Sequence, residues 1–234
     1  MQYTNIVGID PSTTCTGLYI NGEAYCIAPE HSVYNRKAEM VKWYKLASEY
    51  ANIRTFSKEK YDKNFTDSEL QKLSMYDDIS NRILGIILDK VDDVHSTICI
   101  IEGFSYNAAA DHLIDLVTFS TLLRVKLYNA GFALEIVPPA TLKLLSAKLT
   151  YEPINVGKKK PKLEWRNSNG VSGGKFTKHD MLSSIAENSK LKEEWAEFIK
   201  SNFETISSMK SIPKPIEDIN DAYLLYKTFN TVDK

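Results

Sequence analysis

Two short apolar runs, each closed by a carboxylate, constrain this chain most. Ile6-Val7-Gly8-Ile9 ends at Asp10, and Ile98-Cys99-Ile100-Ile101 ends at Glu102. Runs of this length and composition read as strands buried on both faces. A carboxylate at the end of a buried strand costs free energy unless something positive compensates it. A third acidic feature lies far downstream. Asp218 and Asp221 stand three apart in Glu217-Asp218-Ile219-Asn220-Asp221, which opens the last helical stretch. Ala222, Tyr223, Leu224 and Leu225 follow, so this pair projects at the edge of the core. Two strand-end acids plus a helical i, i+3 pair suit hard divalent cations such as Mg²⁺, and point to metal-assisted phosphodiester chemistry. Each acid also has a plainer reading. Asp10 before Pro11 closes a turn, Glu102 reaches water, and Asp218 caps or complements the helix dipole.

The surrounding pattern is that of an α/β fold. Residues 3–9 read as a buried strand, and Gly17 to Ile20 and Ala24 to Ala28 as two more. Asn21-Gly22 joins the latter pair as a two-residue hairpin turn, giving a three-stranded antiparallel meander. Residues 36–54 and 67–90 have helical spacing, with Thr66, Asp67 or Ser68 as caps of the second. Residues 97–102 and 132–137 read as strands, with a helix over 108–130 between them. Pro138-Pro139 starts a short helix to about Ala147. Residues 148–175 lack regular pattern, and long irregular stretches in compact domains are usually functional or disordered. Helical spacing returns over 177–200, with Thr177 as cap, and over 217–230 after Pro213 and Pro215. The expectation is a single domain over 1–234. It has a mixed five-stranded sheet, the meander plus parallel strands, flanked by helices.

Composition narrows the partners. No apolar run approaches the ~20 residues of a membrane span, so no membrane is expected. The chain enters its first strand at once, without a secretory signal. Cys15, Cys26 and Cys99 are odd in number and lack CxxC spacing, which favours reduced thiols and a cytoplasmic location over disulfides or zinc. The net charge is −1, yet residues 141–180 carry nine Lys/Arg against three acids. A local basic stripe beside an acidic metal site fits a polyanion. A solvated lysine loop is the plainer reading.

Together these residues carry a resemblance. Gly8-Ile9-Asp10-Pro11, then Ile101-Glu102, then Asp218-Ile219-Asn220-Asp221-Ala222 resembles, in order and context, the acidic tetrad of RuvC-type Holliday junction resolvases, which have an RNase H-like (retroviral integrase) fold. Val137-Pro138-Pro139-Ala140-Thr141-Leu142-Lys143 resembles the family's strand-to-helix segment ahead of a lysine. Lys178, in Phe176-Thr177-Lys178-His179-Asp180, resembles its second basic residue. The chain departs from the family in having Ser12 for the usual glycine, a longer 30–75 region and an inserted basic loop at 148–175. These departures are more reminiscent of phage or viral relatives. Phe104 and Tyr106 flank Ser105, where the family places a junction-wedging aromatic.

The resemblance implies an RNase H-like nuclease that resolves four-way DNA junctions by paired symmetric nicks. Two Mg²⁺ ions about 4 Å apart, replaceable by Mn²⁺, would be held by Asp10, Glu102, Asp218 and Asp221. Lys143 or Lys178 would neutralise charge on the phosphorane, while His179 is expected to be a surface residue. Phe104, Tyr106, Lys143, Lys158, Lys159, Lys160, Lys162, Arg166, Lys175 and Lys178 would contact DNA, with affinity falling as salt rises. A two-fold substrate implies a homodimer, for which the 108–130 helix offers Leu113, Leu116, Val117, Leu122 and Leu123; core packing explains the same residues. No organic cofactor is implied. Other readings stay open: an RNase H-fold nuclease acting on other branched DNA or RNA–DNA hybrids, and a non-catalytic DNA-binding module. An actin-like ATP-binding protein is a further one. Asp10-Pro11-Ser12-Thr13-Thr14 resembles the phosphate loop of that class, although a second such loop is absent.

Overall fold

A computed structural model describes residues 3–34, 38–58, 60–104, 110–157 and 160–232. The chain opens with the meander: β1 (Asn5–Asp10), β2 (Thr16–Ile20) and β3 (Glu23–Pro29), paired antiparallel in turn. Asn21 and Gly22 both take positive φ, 49° and 91°, which a two-residue hairpin turn matching strand twist requires. A short helix α1 (Glu30–Tyr34) and α2 (Ala38–Ala47) lead to β4 (Ala51–Phe56). Then come α3 (Phe65–Lys90), β5 (Thr97–Glu102), α4 (Ala110–Asn129) and β6 (Ala133–Val137). The sheet runs β4-β3-β2-β1-β5-β6, with β5 parallel to β1, β6 parallel to β5 and β4 parallel to β3. The remainder is α5 (Pro139–Thr150), the hairpin β7 (Pro153–Asn155) and β8 (Leu163–Trp165), α6 (Lys178–Glu187), α7 (Glu194–Ser207) and α8 (Ile216–Val232).

The α/β class, the meander and the parallel strands agree with expectation; the strand count does not, because the sheet has six strands rather than five. The extra strand is β4, which begins inside the stretch 36–54 expected to be one helix and runs two residues beyond it. That helix stops at Ala47, and residues 51–55 alternate in burial, with Asn52 and Arg54 exposed and Ala51, Ile53 and Thr55 buried or half-buried. Alternation of that kind belongs to a strand. The helix expected over 177–200 is two helices. Asn188 ends α6 by donating from its amide to the Leu149 carbonyl (2.8 Å) and accepting the Lys190 N–H (2.9 Å), local bonds that compete with helix continuation. Thr177 caps α6 as expected, in a reciprocal capping box with Asp180. The cap of α3 is Asn64, which accepts the Asp67 N–H at 3.2 Å, rather than Thr66, Asp67 or Ser68. Within region 148–175 the described residues include the β7–β8 hairpin and local turns. Asn155 Oδ1 accepts the Gly157 and Lys162 N–H groups, and Asn167 Oδ1 accepts those of Asn169 and Val171.

Strand parity divides the core. Val7, Ile9, Cys99 and Ile101 pack toward α3 and α4, with Ile79, Ile83, Phe119 and Leu123. Ile6, Ile98 and Ile100 pack on the other face, with Ile219, Ala222, Tyr223 and Leu182 from α8 and α6. Side chains alternate between faces along a strand. Asp10 and Glu102 share the parity of Ile6, Ile98 and Ile100, so both carboxylates fall on the α8 face.

Candidate active site

The parallel register that pairs Ile9 with Ile101 sets Asp10 and Glu102 side by side at the carboxyl ends of β1 and β5. That is where open α/β sheets place ligands. Helix α8 brings the third acid. Two glycines let α8 lie directly on the sheet. A Cβ on Gly8 would overlap the Ala222 carbonyl oxygen, and one on Gly17 would overlap the Asp218 carbonyl. Asp221 is thereby held over the strand ends. One carboxylate oxygen each from Asp10, Glu102 and Asp221 lies within 4.8 Å of the others.

The three carboxyls perturb one another. Burial, followed by repulsion from Glu102, Asp221 and Asp218, holds the Asp10 carboxyl well above its ordinary value. Burial and then Asp221 push Glu102 up to about 7, against the opposing pull of Lys178. Burial also raises Asp221, with Lys178 opposing. Burial and mutual repulsion together make it costly to hold all three carboxylates ionised at once, with Lys178 as the opposing cation.

Asp218 is placed differently from its sequence neighbour. Its carboxylate is ion-paired with Lys214, a partner four residues earlier, and is not one of the three that converge. Burial raises it to about 6 even so, with Lys214 opposing. Its Oδ2 is buried without a well-formed hydrogen bond among the described residues, beside the Cys15 thiol. Lys178 is ion-paired with Asp221 and lies 3.9 Å from Glu217 Oε1, while Lys214 lies 3.6 Å from Glu217 Oε2. The result is an alternating chain, Asp221–Lys178–Glu217–Lys214–Asp218. Burial opposes the charge on Lys178, but Asp221, Glu102 and Asp10 outweigh it and raise its pKa.

A cleft of about 230 Å³ opens at the carboxylates, lined by Asp10, Glu102, Phe104, Lys143, Lys178 and Pro139 among others. Both lysines singled out from the sequence therefore border the carboxylate cleft, as does Phe104. A larger cavity of about 540 Å³ between α2 and β4, with Tyr44, Lys45 and Arg54, shares no residue with this cleft and, among the described residues, is lined by no carboxylate.

Three of the other basic residues, Lys162, Arg166 and Lys175, border a separate groove of about 740 Å³ along the β7–β8 hairpin. Lys162 and Arg166 are both ion-paired with Glu164, at 2.8 and 2.9 Å, so part of the positive charge there is already satisfied. Lys160 and Lys175 are exposed. Tyr106, Lys158 and Lys159 lie outside the described residues. His179 is half-buried rather than a surface residue, with Nε2 3.0 Å from the Met209 carbonyl oxygen.

Three residues at the site were not singled out from the sequence. Lys214 had one signal, its i, i+4 spacing to Asp218. Glu217 had its place in the same acidic turn. Arg124, on α4, had none. Its guanidinium lies 4.5 Å over the Phe104 ring and 3.5 Å from the Glu102 carbonyl oxygen, and its buried Nε has no hydrogen-bond partner among the described residues.

No family model matches the chain, and no curated protein does. Among solved structures it aligns with Thermus thermophilus RuvC in complex with a Holliday junction substrate, at 11% identity and a TM-score of 0.43, over 97% of this chain and 94% of that one. A second Thermus thermophilus RuvC structure aligns at 13% identity and a TM-score of 0.42, over 98% and 97%. Similarity this remote carries no functional argument, so the chemistry rests on the site itself. Among the described residues no helix is long and apolar enough to cross a membrane. Fold and site together define an α/β protein in which half-buried Asp10 and buried Glu102 and Asp221 form a three-carboxylate cluster that could hold a cation.

Proposed function

We propose that this protein is a divalent-metal-dependent endonuclease of RNase H-like fold that acts on branched DNA. Its specific reaction is resolution of four-way junctions by paired symmetric nicks, carried out as a homodimer. The observation that carries the reading is the convergence of Asp10, Glu102 and Asp221 from three separate elements. Three hard oxygen donors with raised pKa values fit Mg²⁺ or Mn²⁺. Asp10, Glu102 and Asp221 would hold two such ions, and Asp218, one helical turn away, would orient them. Bound there, divalent ions supply a water of lowered pKa and counter-charge for a reacting phosphate.

The remaining work falls to the chain's own groups. Lys143 and Lys178 border the cleft and oppose the negative charge that builds on a phosphate under attack. Phe104 offers an apolar wall against which an unstacked base packs. Lys160, Lys162, Arg166, Lys175 and the lysines at 158 and 159 hold the duplex arms by phosphate contacts, which position without reading sequence. Recognition of the branch point then comes from shape and deformability.

The test is cleavage of four-way, Y-shaped, nicked and RNA–DNA substrates with and without Mg²⁺. Symmetric nicks across the four-way substrate, dependent on metal, are the expected result. Cleavage of the hybrid alone would reassign the substrate, and no metal-dependent cleavage of any substrate would end the nuclease reading.

A further inference from the structure

We propose that Glu217 is the carboxylate that receives the Lys178 ammonium when a divalent cation takes Asp221. The inference rests on the metal-site reading above. Lys178 and a metal ion compete for the same group, because the ammonium is ion-paired with Asp221, one of the three converging acids. An ammonium displaced from a partly buried position needs another anion nearby. Asp10 and Glu102 would be engaged by the same ions. Among the described residues, Glu217 is the one other carboxylate within 4.0 Å of Lys178 Nζ, at 3.9 Å.

Glu217 is suited to this by what else it does. It stands one helical turn before Asp221, on the same face of α8, so the ammonium need only cross one turn. Its side chain is 29% exposed, and its other tie, to Lys214, is a 3.6 Å contact. Lys214 has its closer partner in Asp218. Glu217 is therefore the second partner of both lysines and the first partner of neither. In its new position Lys178 stays charged at the border of the cleft, where a phosphate would arrive. Glu217 is a positioning residue and does not join the metal ligands.

The experiment is Mn²⁺ titration of the full-length protein, followed by electron paramagnetic resonance of the free ion, in a double-mutant cycle. Glu217→Gln should weaken Mn²⁺ binding about two- to fivefold, the scale of a partly exposed ion pair. Lys178→Met should bind Mn²⁺ more tightly than wild type, and adding Glu217→Gln to it should change nothing further. Wild-type affinity in Glu217→Gln overturns the inference. So does an equal loss in the Lys178→Met background, which would mean that Glu217 acts on the metal directly. If Lys178→Met does not fold without metal, the lysine side-chain NMR signals of the wild type decide. Saturation with Mg²⁺ should move the Lys178 signal to a second ion-paired position, and in Glu217→Gln to that of a solvated lysine. A signal unmoved by Mg²⁺ overturns the inference. A wild type that binds no Mn²⁺ at all overturns the metal site along with it, a result distinct from any of these.

Discussion

Gly8 lies against the carbonyl oxygen of Ala222, so closely that a side chain at position 8 would overlap it. Helix α8 rests on β1 and β2 through this contact and its counterpart at Gly17 and Asp218. The site acids of α8 therefore owe their position to two residues that have no side chain. Gly8→Ala should cost about 1–3 kcal/mol or more, because the obstacle is backbone and cannot rotate away. Urea unfolding checks the stability. Loss of Mn²⁺ affinity in the folded fraction would show that Asp221 has moved with the helix.

The carboxylate cluster predicts an unusual pH dependence. Glu102 is raised to about 7 from an ordinary 4.5. The folded protein thus holds a proton that the unfolded chain has released between those values. The Glu102 contribution to the stability of the metal-free protein should be fully present below about 4.5 and be lost as pH rises toward about 7. Added Mg²⁺ should reverse this slope, since deprotonated carboxylates are what the ion requires. Thermal melts across that window, with Mg²⁺ and with chelator, read both effects. Parallel melts in the two conditions would contradict the prediction.

Charge removal at the three converging acids should separate cleavage from binding. Asp10→Asn, Glu102→Gln and Asp221→Asn keep shape and lose the anion. Each should lower cleavage by more than the roughly 10–100-fold that loss of a supporting partner costs, with junction affinity largely kept. Asp218→Asn should fall short of that loss, because Asp218 is occupied by Lys214 and stands outside the converging three. Single-turnover cleavage and gel-shift affinity give the comparison.

Arg124 should matter through Phe104. The guanidinium over the ring contributes about 0.5–2 kcal/mol in such contacts. Arg124→Ala and Phe104→Ala should therefore give similar losses in cleavage that do not add in the double variant. Lys in place of Arg keeps the charge and loses the planar stack, so Arg124→Lys should recover only part of the loss. Additive losses would show that the two residues act independently.

The hairpin groove should respond in opposite directions to two changes. Lys175→Ala should weaken DNA binding and lower the salt slope by about 1 if it meets one phosphate. Glu164→Gln releases Lys162 and Arg166 from their shared partner, so it should tighten binding and steepen the slope. Affinity measured across a salt series reads both; unchanged slopes would mean that this groove does not meet phosphate.

What could be read from the sequence was what short-range rules fix. Period-two alternation fixes Asp10 and Glu102 on one face, and apolar run length fixes them at strand ends. The Asn21-Gly22 turn and the Thr177 cap are decided within a few residues. β4 was hidden because Ala51, Ile53 and Phe56 extend an apolar pattern that α2 begins, and only pairing with β3 decides between helix and strand. The break at Asn188 depends on a carbonyl thirty-nine residues away. The same limit applies to the site. The Lys178 ammonium that meets Asp221 arrives from α6 and is reached in the sequence only through the family resemblance, and the guanidinium that seats Phe104 arrives from α4. Such long-range meetings leave no local trace, whereas the acids they serve do.

The most direct measurement is the anomalous density of a crystal grown with Mn²⁺. The ion is expected between the carboxylates of Asp10, Glu102 and Asp221, with Lys178 withdrawn from Asp221. Density elsewhere, or none among these three with Lys178 still paired to Asp221 at saturating Mn²⁺, would contradict the account.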